Sequence, residues 1–191
     1  NITTIQYDNL GRKIGMNDPD MGHWQYEYDG NGNLIQQRDA TNRKIRFTYD
    51  ELNRLSLKTS INSKTSISNV SYTYDISTAN YSKGRLGTVM YEQESASFKY
   101  DQLGREIEST KLIDHHDYRV SRQYDALNHL KQLQYPNAAT VKYTYNQAGG
   151  VATISDVNTS TQYIKAIDYN ALGQITQIQY GNGVSSAHTY N

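Results

Sequence analysis

Polar and apolar residues alternate over much of this chain. The pattern is clearest in four segments that end in tyrosine: WQYEY at 24–28, IRFTY at 45–49, VSYTY at 70–74 and VKYTY at 141–145. A period of two is typical of a β-strand whose two faces meet different surroundings. No segment combines a capped start with the apolar period of an amphipathic helix. The pattern therefore predicts an all-β chain.

A short phrase recurs where these strands end. It reads YDNLGRKI at 7–14, YDGNGNLI at 28–35 and YDQLGREI at 100–107. Its tyrosine anchors stand 21 to 26 residues apart: Tyr7, Tyr28, Tyr49, Tyr74, Tyr100, Tyr124, Tyr145, Tyr169 and Tyr190. Such a period indicates one supersecondary unit copied in a row. We expect residues 1–191 to form one repeat region of about eight repeats.

Each phrase carries a small residue four positions after its anchor, or further on where an insertion lengthens the fourth copy. These turn positions are Gly11, Gly32, Asn53, Gly84, Gly104, Asn128, Gly149 and Gly173. Gly and Asn tolerate positive φ, and an Asp or Asn that begins a turn can accept hydrogen bonds from the turn backbone. The phrase therefore predicts a tight turn.

A second cluster of turn residues follows each phrase, for example NDPDMG at 17–22 and YPNA at 135–138. Each repeat then consists of two antiparallel strands and two turns, and eight intervals give about sixteen strands in a meander. The tyrosines should form a ladder along the buried face of this strip. Aliphatic residues of the intervening strands are their expected cross-strand partners: Leu34, Leu55, Leu86, Leu130, Val151 and Ile175.

Arginine often follows the turn position, at Arg12, Arg54, Arg85 and Arg105. Two interpretations stay open. The guanidinium contacts the aspartate of a neighbouring phrase, where the candidates are Asp8, Asp50, Asp75 and Asp101, or it is a solvated charge of the turn. Exposed pairs contribute little to stability, so the sequence does not decide between them.

The phrases and their spacing resemble the tyrosine-aspartate repeats of the Rhs or YD-repeat family, which includes bacterial Rhs toxins, shell components of insecticidal Tc toxins, and teneurins. The resemblance covers the whole chain and weakens towards Asn146, Asn170 and Asn191, which replace the aspartate. It implies an antiparallel β-hairpin strip that curls into a spiral, hollow shell. In the toxin members the shell encloses a toxic effector domain, and in teneurins it serves cell-surface recognition.

From this resemblance we expect a structural scaffold without catalytic activity, secreted or at the cell surface, and of bacterial origin. Its expected partners are the remainder of its own shell and an enclosed effector domain. About sixteen strands at about 4.8 Å span only about 77 Å, whereas a path around a domain needs about 150 Å. The chain should therefore be a fragment of a larger shell, whose open edges favour weak edge-to-edge self-association. The alternative is a module whose exposed tyrosines bind carbohydrate or a cell-surface protein.

Composition and motifs bear on the other functional classes: nucleic-acid binding, membrane-spanning, catalytic and metal-binding proteins. With 19 basic and 19 acidic residues the net charge is zero, which does not favour nucleic acid as a partner. No segment is apolar enough to be a membrane-spanning helix. The sequence shows no nucleophile motif, and no cofactor is predicted. Two polar segments, DGNGN at 29–33 and DHHD at 114–117, resemble parts of calcium and zinc sites, but turns explain both better, and no metal site is predicted.

Overall fold

The computed structural model describes residues 2–61, 67–77 and 81–190, so Asn191 of the last phrase lies outside it. These residues form seventeen β-strands and no helix. The chain divides into two compact units, Asn1–Ser97 with Leu112–His115, and Phe98–Lys111 with His116–Asn191. No helix in the described part of the chain has the length and apolar character needed to cross a membrane.

The first unit contains eight complete strands. They are β1 (Thr4–Tyr7), β2 (Lys13–Asp18), β3 (Gly22–Tyr28), β4 (Leu34–Arg38), β5 (Lys44–Tyr49), β6 (Leu55–Ile61), β7 (Ile67–Tyr74) and β8 (Leu86–Tyr91). Each pairs antiparallel with the next in sequence. The ninth strand, β9 (Glu94–Tyr100), begins in this unit and pairs there with β8.

The second unit continues the same architecture. It holds most of β10 (Glu106–Ile113), followed by β11 (His116–Tyr124), β12 (Leu130–Gln134), β13 (Thr140–Tyr145), β14 (Val151–Asp156), β15 (Gln162–Tyr169), β16 (Ile175–Tyr180) and β17 (Ser185–Ala187). From β11 to β17 each strand pairs antiparallel with the next. The predicted all-β fold of antiparallel hairpins is thus confirmed. The count is seventeen because β1 ends at the first anchor and so lies outside the eight counted intervals.

Eight anchors end the odd-numbered strands, from Tyr7 in β1 to Tyr169 in β15, and Tyr190 follows β17. Six of them face the predicted aliphatic partner in register, as Tyr28 faces Leu34 and Tyr169 faces Ile175. The register shifts by one residue at each of these pairs. This extra residue is a β-bulge, which increases the local twist and re-aims the anchor side chain.

Burial corrects one expectation. Among the described residues no hydrophobic side chain is buried, and the anchors of β3 to β15 are half-buried. The expected alternation appears in β3, where exposed and half-buried residues succeed one another, but β4 and β6 are half-buried throughout. In the described part of each unit the strands contact their neighbours in the sheet, and no second layer packs on them. The tyrosine ladder is therefore a half-covered face and not a core.

Candidate functional site

Seven phrases fold into one five-residue turn, which we call the anchor turn. Its copies are Asp8–Arg12, Asp29–Asn33, Asp50–Arg54, Asp101–Arg105, Asp125–His129, Asn146–Gly150 and Asn170–Gln174. In every copy the first N–H donates to the fifth carbonyl and the fourth N–H donates to the first carbonyl, at 2.8 to 3.2 Å. This is the pattern of a three-residue hairpin loop that ends in a left-handed residue.

The fourth residue of each anchor turn has positive φ, from 58° at Asn53 to 88° at Gly32. Gly84, the displaced position of the fourth copy, has a φ of 76°. A side chain with a Cβ is disfavoured there, and Asn is among the few that accept it. All eight turn positions singled out in the sequence thus have the left-handed backbone that Gly and Asn allow.

The first residue of the anchor turn closes it through its side chain. In Asp50 one carboxylate oxygen, Oδ1, accepts the N–H of Leu52 at 3.0 Å and the N–H of Arg54 at 2.9 Å. Asn146 does the same for Ala148 and Gly150 with its amide oxygen, at 3.0 and 2.9 Å. Asp and Asn are interchangeable in this respect because both present an oxygen at the same place.

In most copies the side chain of the fifth residue binds the remaining polar atom of the first side chain. Arg12, Arg54 and Arg105 donate from Nε to Oδ2 of the aspartate of their own turn at 2.6 to 2.7 Å. His129 approaches Asp125 at 3.0 Å, and Gln174 accepts a 2.7 Å bond from Asn170. The aspartate is thus fixed by both the backbone and the fifth side chain.

The arginine contacts bear on the two interpretations left open by the sequence. Arg54 reaches a neighbouring aspartate, Asp75, with Nη2 to Oδ2 at 2.8 Å, while its Nε binds its own Asp50. Arg12 and Arg105 instead donate to the backbone carbonyl of the next aspartate, Asp29 at 3.3 Å and Asp125 at 3.0 Å. Each of these three arginines binds the carboxylate of its own turn, because the turn holds that carboxylate only four residues away. Arg85 bonds backbone carbonyls of its long loop.

The fifth side chain also covers the next anchor. The guanidinium carbon lies 5.0 Å from the ring centre of Tyr28 for Arg12, 4.3 Å from Tyr74 for Arg54 and 4.8 Å from Tyr124 for Arg105. The His129 ring stacks on Tyr145 with centres 4.4 Å apart. These are cation–π and stacking geometries. These four turns are therefore attached to the repeats that follow them.

The anchor hydroxyls make the return connection. Seven of the nine donate to a backbone carbonyl just after the preceding phrase: Tyr28 to Lys13, Tyr49 to Leu34, Tyr74 to Leu55, Tyr124 to Glu106, Tyr145 to Leu130, Tyr169 to Val151 and Tyr190 to Ile175, at 2.8 to 3.1 Å. In six of these bonds, all except that of Tyr124, the acceptor is the residue paired with the preceding anchor. Bulged strand ends leave this carbonyl open to a side chain, and the tyrosine uses it.

The turn geometry sets the protonation of its acids. The N–H of the fifth residue is the main cause that lowers the pKa of Asp8, Asp50 and Asp125, with the fifth side chain adding to it. At Asp75 the main cause is the Arg54 side chain. Hydrogen bonds and an opposite charge favour the carboxylate over the carboxylic acid. These aspartates are therefore ionised and committed to the turns.

The two segments weighed as metal sites are turns. Both Asp29 oxygens are used within the turn, by the backbone of Asn31 and Asn33 and by the Asn33 amide. Asp114 and His115 both have positive φ, as in a two-residue hairpin turn. The described residues contain no group of three potential ligands close enough to hold a metal ion.

A groove that the sequence did not reveal lies in the first unit, at the second-turn ends of β3 to β7. It has a volume of about 440 Å³ and is lined by Trp24, Gln37, Asp39, Arg43, Lys44, Ile45, Ser60, Ile61 and Ser68. We call it the Trp24 groove. The available signal was the single tryptophan of the chain, at a position where other copies carry Ile45, Val70, Val120 and Val141.

Fold and anchor turn together define a class, the antiparallel β-hairpin repeat proteins. Residues 28–65 match the family model of the RHS Repeat. With the structural matches below, the resemblance to the Rhs/YD-repeat family predicted from the sequence is confirmed. A sequence search of curated proteins finds no match.

Three solved structures share the fold over 99% of this chain at a TM-score of 0.88. They are the crystal structures of TcdB2-TccC3-Cdc42, with 16% identity, and of TcdB2-TccC3, with 17%, and the structure of the Photorhabdus luminescens Tc holotoxin pore with the TccC3 mutation D651A, with 17%. At these identities the likeness is one of fold. The chain spans only 10 to 11% of the length of those chains.

Proposed function

We propose that this chain is a non-catalytic scaffold, a wall segment of a hollow YD-repeat β-shell that encloses or displays an effector domain in a larger protein. One observation carries the proposal: seven anchor hydroxyls bind the backbone of the preceding repeat, and no hydrophobic side chain among the described residues is buried. A unit stabilised by its neighbours extends by addition and makes a surface, as repeat proteins do.

The size of the matched structures supports a larger assembly. The whole repeat region, residues 1–191 with about eight repeats, would supply one part of such a wall, since it aligns with about a tenth of each matched chain. Its partners would be the remainder of the shell and the enclosed effector. Secretion from a bacterium is proposed on the same likeness to Tc toxin structures.

The use of the titratable groups supports the non-catalytic part of the proposal. A general acid or base needs a carboxyl group that can exchange its proton near neutral pH. The anchor-turn aspartates have lowered pKa values and spend both oxygens on the turn in Asp8, Asp50 and Asp101. They serve folding.

The ladder itself is a poor sugar platform. The guanidinium groups of Arg12, Arg54 and Arg105 and the His129 ring lie on faces of the anchors that follow them. The anchor hydroxyls are also engaged with backbone carbonyls. The geometry therefore favours the scaffold over a module in which the anchor tyrosines bind carbohydrate.

The proposal is tested by cryo-electron microscopy of the full natural protein that contains these residues. The expected result is a wall that includes these strands around an internal density. A protein whose repeats are open to solvent on both faces, with no enclosed volume, would refute the proposal.

A functional version of the same test uses protease access. Replacement of Tyr28, Tyr49 and Tyr74 by Phe in the full protein should loosen the wall and speed the cleavage of the enclosed domain. Tyr118→Phe is the matched control, because this tyrosine is exposed and its hydroxyl makes no hydrogen bond to another described residue. Equal cleavage rates in the triple variant and the control would contradict an enclosing role.

The predicted edge-to-edge association has its own test. All four residues of β1 are exposed, and Ile5 is 43% exposed. We propose that β1 pairs weakly with another strand edge, since exposed edges template such pairing. Sedimentation of the 191-residue chain should show concentration-dependent association that Ile5→Lys removes. Association that is unchanged by this substitution would place the contact elsewhere.

A further inference from the structure

The Trp24 groove differs from the rest of the tyrosine-bearing face in its polarity. Gln37 in β4 stands three residues after the partner of an anchor, where five of the seven other copies carry Met16, Val89, Leu133, Ile154 or Ile178, and the other two carry Lys58 and Ser109. The sheet itself therefore accepts an apolar side chain at this position, and the glutamine needs another reason.

Pairing places the groove residues on one face. Gln37 lies opposite Ile45, Ile45 opposite Ser60, and Ser60 opposite Ser68, so these four side chains form one row across β4 to β7. Directly paired residues of neighbouring strands point to the same side of a sheet. Trp24 stands two residues before Tyr26, the partner of Gln37, and so belongs to this side too.

The polar side chains of this row have no hydrogen-bond partner among the described residues. The side chains of Gln37, Ser60 and Ser68 make no hydrogen bond to another described residue, although all three are half-buried. Half-buried amides and hydroxyls usually find partners, either in the protein or outside it. Three such groups beside a groove of about 440 Å³ mark a surface on which a polar ligand could satisfy them.

Trp24 gives the groove an aromatic wall of fixed orientation. Its indole N–H donates to the Met21 carbonyl at 3.1 Å, which ties the ring edge to the turn before β3. The ring is half-buried and lines the groove, and unlike four of the anchors it carries no guanidinium or imidazole ring in the described part of the chain. Tyr26 stacks beside it with centres 6.5 Å apart.

The rim of the groove carries side chains of both charges, and its carboxylate is held in place by hydrogen bonds. Asp39 holds its own turn through Oδ1, which accepts the backbone N–H groups of Thr41 and Arg43. Arg43 and Lys44 lie beside it and line the same groove. Carboxylate, amide, hydroxyl and guanidinium groups together can donate to and accept from a ring of hydroxyls.

We propose that the Trp24 groove binds a saccharide, with one pyranose ring on the indole and its hydroxyls bonded to Gln37, Ser60 and the Asp39 rim. An aromatic face beside unpaired polar groups matches a sugar, which has an apolar ring face and a polar circumference. A purely apolar ligand would leave the amide and both hydroxyls unpaired. This site is separate from the anchor ladder, and it does not depend on the scaffold proposal.

The test uses the 191-residue chain and three probes: maltotriose, diacetylchitobiose and digalacturonate. Trp24 is the only tryptophan, so its fluorescence reports the groove alone. We expect a saturable change with at least one probe in the millimolar range, where weak complexes are half-formed. Binding of only the acidic probe would assign the arginine and lysine of the rim a direct contact; the neutral probes test the ring and amide contacts alone.

Two variants locate the site. Trp24→Val and Gln37→Leu introduce side chains that equivalent positions already hold, so the fold should be retained by circular dichroism. Each should weaken binding about tenfold, as measured by calorimetry, since one stacking or hydrogen-bonding partner is lost. Gln25→Leu, on the opposite face of β3, is the matched control and should bind like the unaltered chain.

The outcomes are decisive in either direction. The proposal is overturned if none of the three probes binds in the millimolar range, if both groove variants bind unchanged, or if the control weakens binding as much as they do. Probe binding that Gln37→Leu and Trp24→Val reduce while Gln25→Leu does not would establish the site.

Discussion

The anchor turns at residues 50–54 and 146–150 share one backbone but differ in chemistry. The first carries Asp50 and Arg54, an ion pair that reaches Asp75 and covers the ring of Tyr74. The second carries Asn146 and Gly150 and has no charge. Both keep the same backbone bonds, the same two side-chain bonds to N–H groups and a left-handed fourth residue. The charge is therefore an addition to the turn, and the side-chain oxygen is its common requirement.

The neutral copy also shows what replaces the arginine. A Cβ placed on Gly150 would lie 3.0 Å from the Tyr169 ring and 3.2 Å from the Asn146 amide nitrogen. The anchor ring thus packs directly against the Gly150 backbone where arginine covers the ring in other copies. Two different contacts keep successive repeats together, one electrostatic and one steric.

Loss of the shared oxygen should have the largest effect. Asn146→Ala removes two bonds to backbone N–H groups and should lower the free energy of unfolding by about 1 to 2 kcal/mol. Asp50→Ala should also lower it, and it removes one of the two carboxylate partners of Arg54. Urea unfolding of the 191-residue chain measures both. If Asn146→Ala were neutral while Asp50→Ala was damaging, the charge and not the oxygen would be the requirement.

The left-handed position comes next. Gly173→Ala should cost about 1 kcal/mol, because φ is 76° there while the space around the glycine is open. Gly173→Asn is the matched control and should cost much less, since Asn53 and Asn128 adopt the same backbone at this position. Thermal unfolding compares the two. Equal losses would mean that crowding, and not backbone geometry, selects the residue.

Loss of an anchor hydroxyl should have a smaller effect on stability, and the size of that effect should differ between the two regions. Tyr74→Phe and Tyr169→Phe each remove one bond to a backbone carbonyl and should cost about 0.5 to 1 kcal/mol. The loss at Tyr74 should be the smaller, because the Arg54 guanidinium still holds the ring. Hydrogen exchange at Leu57 and Thr153, in the strands that receive the anchors, reports each locally. A larger loss at Tyr74 would show that the guanidinium contact depends on the hydroxyl bond.

The smallest effect at neutral pH concerns protonation. The folded pKa of Asp50 is lowered, so its stabilisation is complete above the unfolded value of about 3.9 and is lost as pH falls through the folded value. Below about pH 4 the N–H resonance of Arg54 should therefore shift, while that of Gly150 should not. Asp50→Asn should remove the shift, and Asn146→Asp should create one at Gly150. A pH-independent Arg54 resonance in the unaltered chain would contradict the bond to the carboxylate.

The sequence predicted what is encoded within a few residues. Asp or Asn at the first position and Gly or Asn at the fourth specify the turn, because their side chains and φ angles act locally. Alternation predicted the strands for the same reason, and the anchors face their expected partners. The antiparallel hairpin fold was therefore predictable from the sequence.

Longer-range contacts were less accessible. The bond from the Tyr74 hydroxyl to the Leu55 carbonyl joins residues 19 apart. It depends on a β-bulge that no single residue predicts. For the arginines that follow the turn position the sequence left two interpretations open, a neighbouring aspartate or a solvated charge. Neither included the aspartate of the same turn, which Arg12, Arg54 and Arg105 bind. The Trp24 groove needed the register of five strands before Gln37, Ser60 and Ser68 could be placed in one row.

The return bond from each anchor has a direction. In all seven bonds described above the anchor hydroxyl binds a carbonyl that comes earlier in the chain, so the acceptor already exists when a newly synthesised tyrosine leaves the ribosome. A nascent chain can therefore fold one repeat after another as it leaves the ribosome. The same rule governs gene evolution: duplication or deletion of a whole repeat gives every remaining anchor a predecessor of the same kind, so copy number can change without new contacts having to be invented.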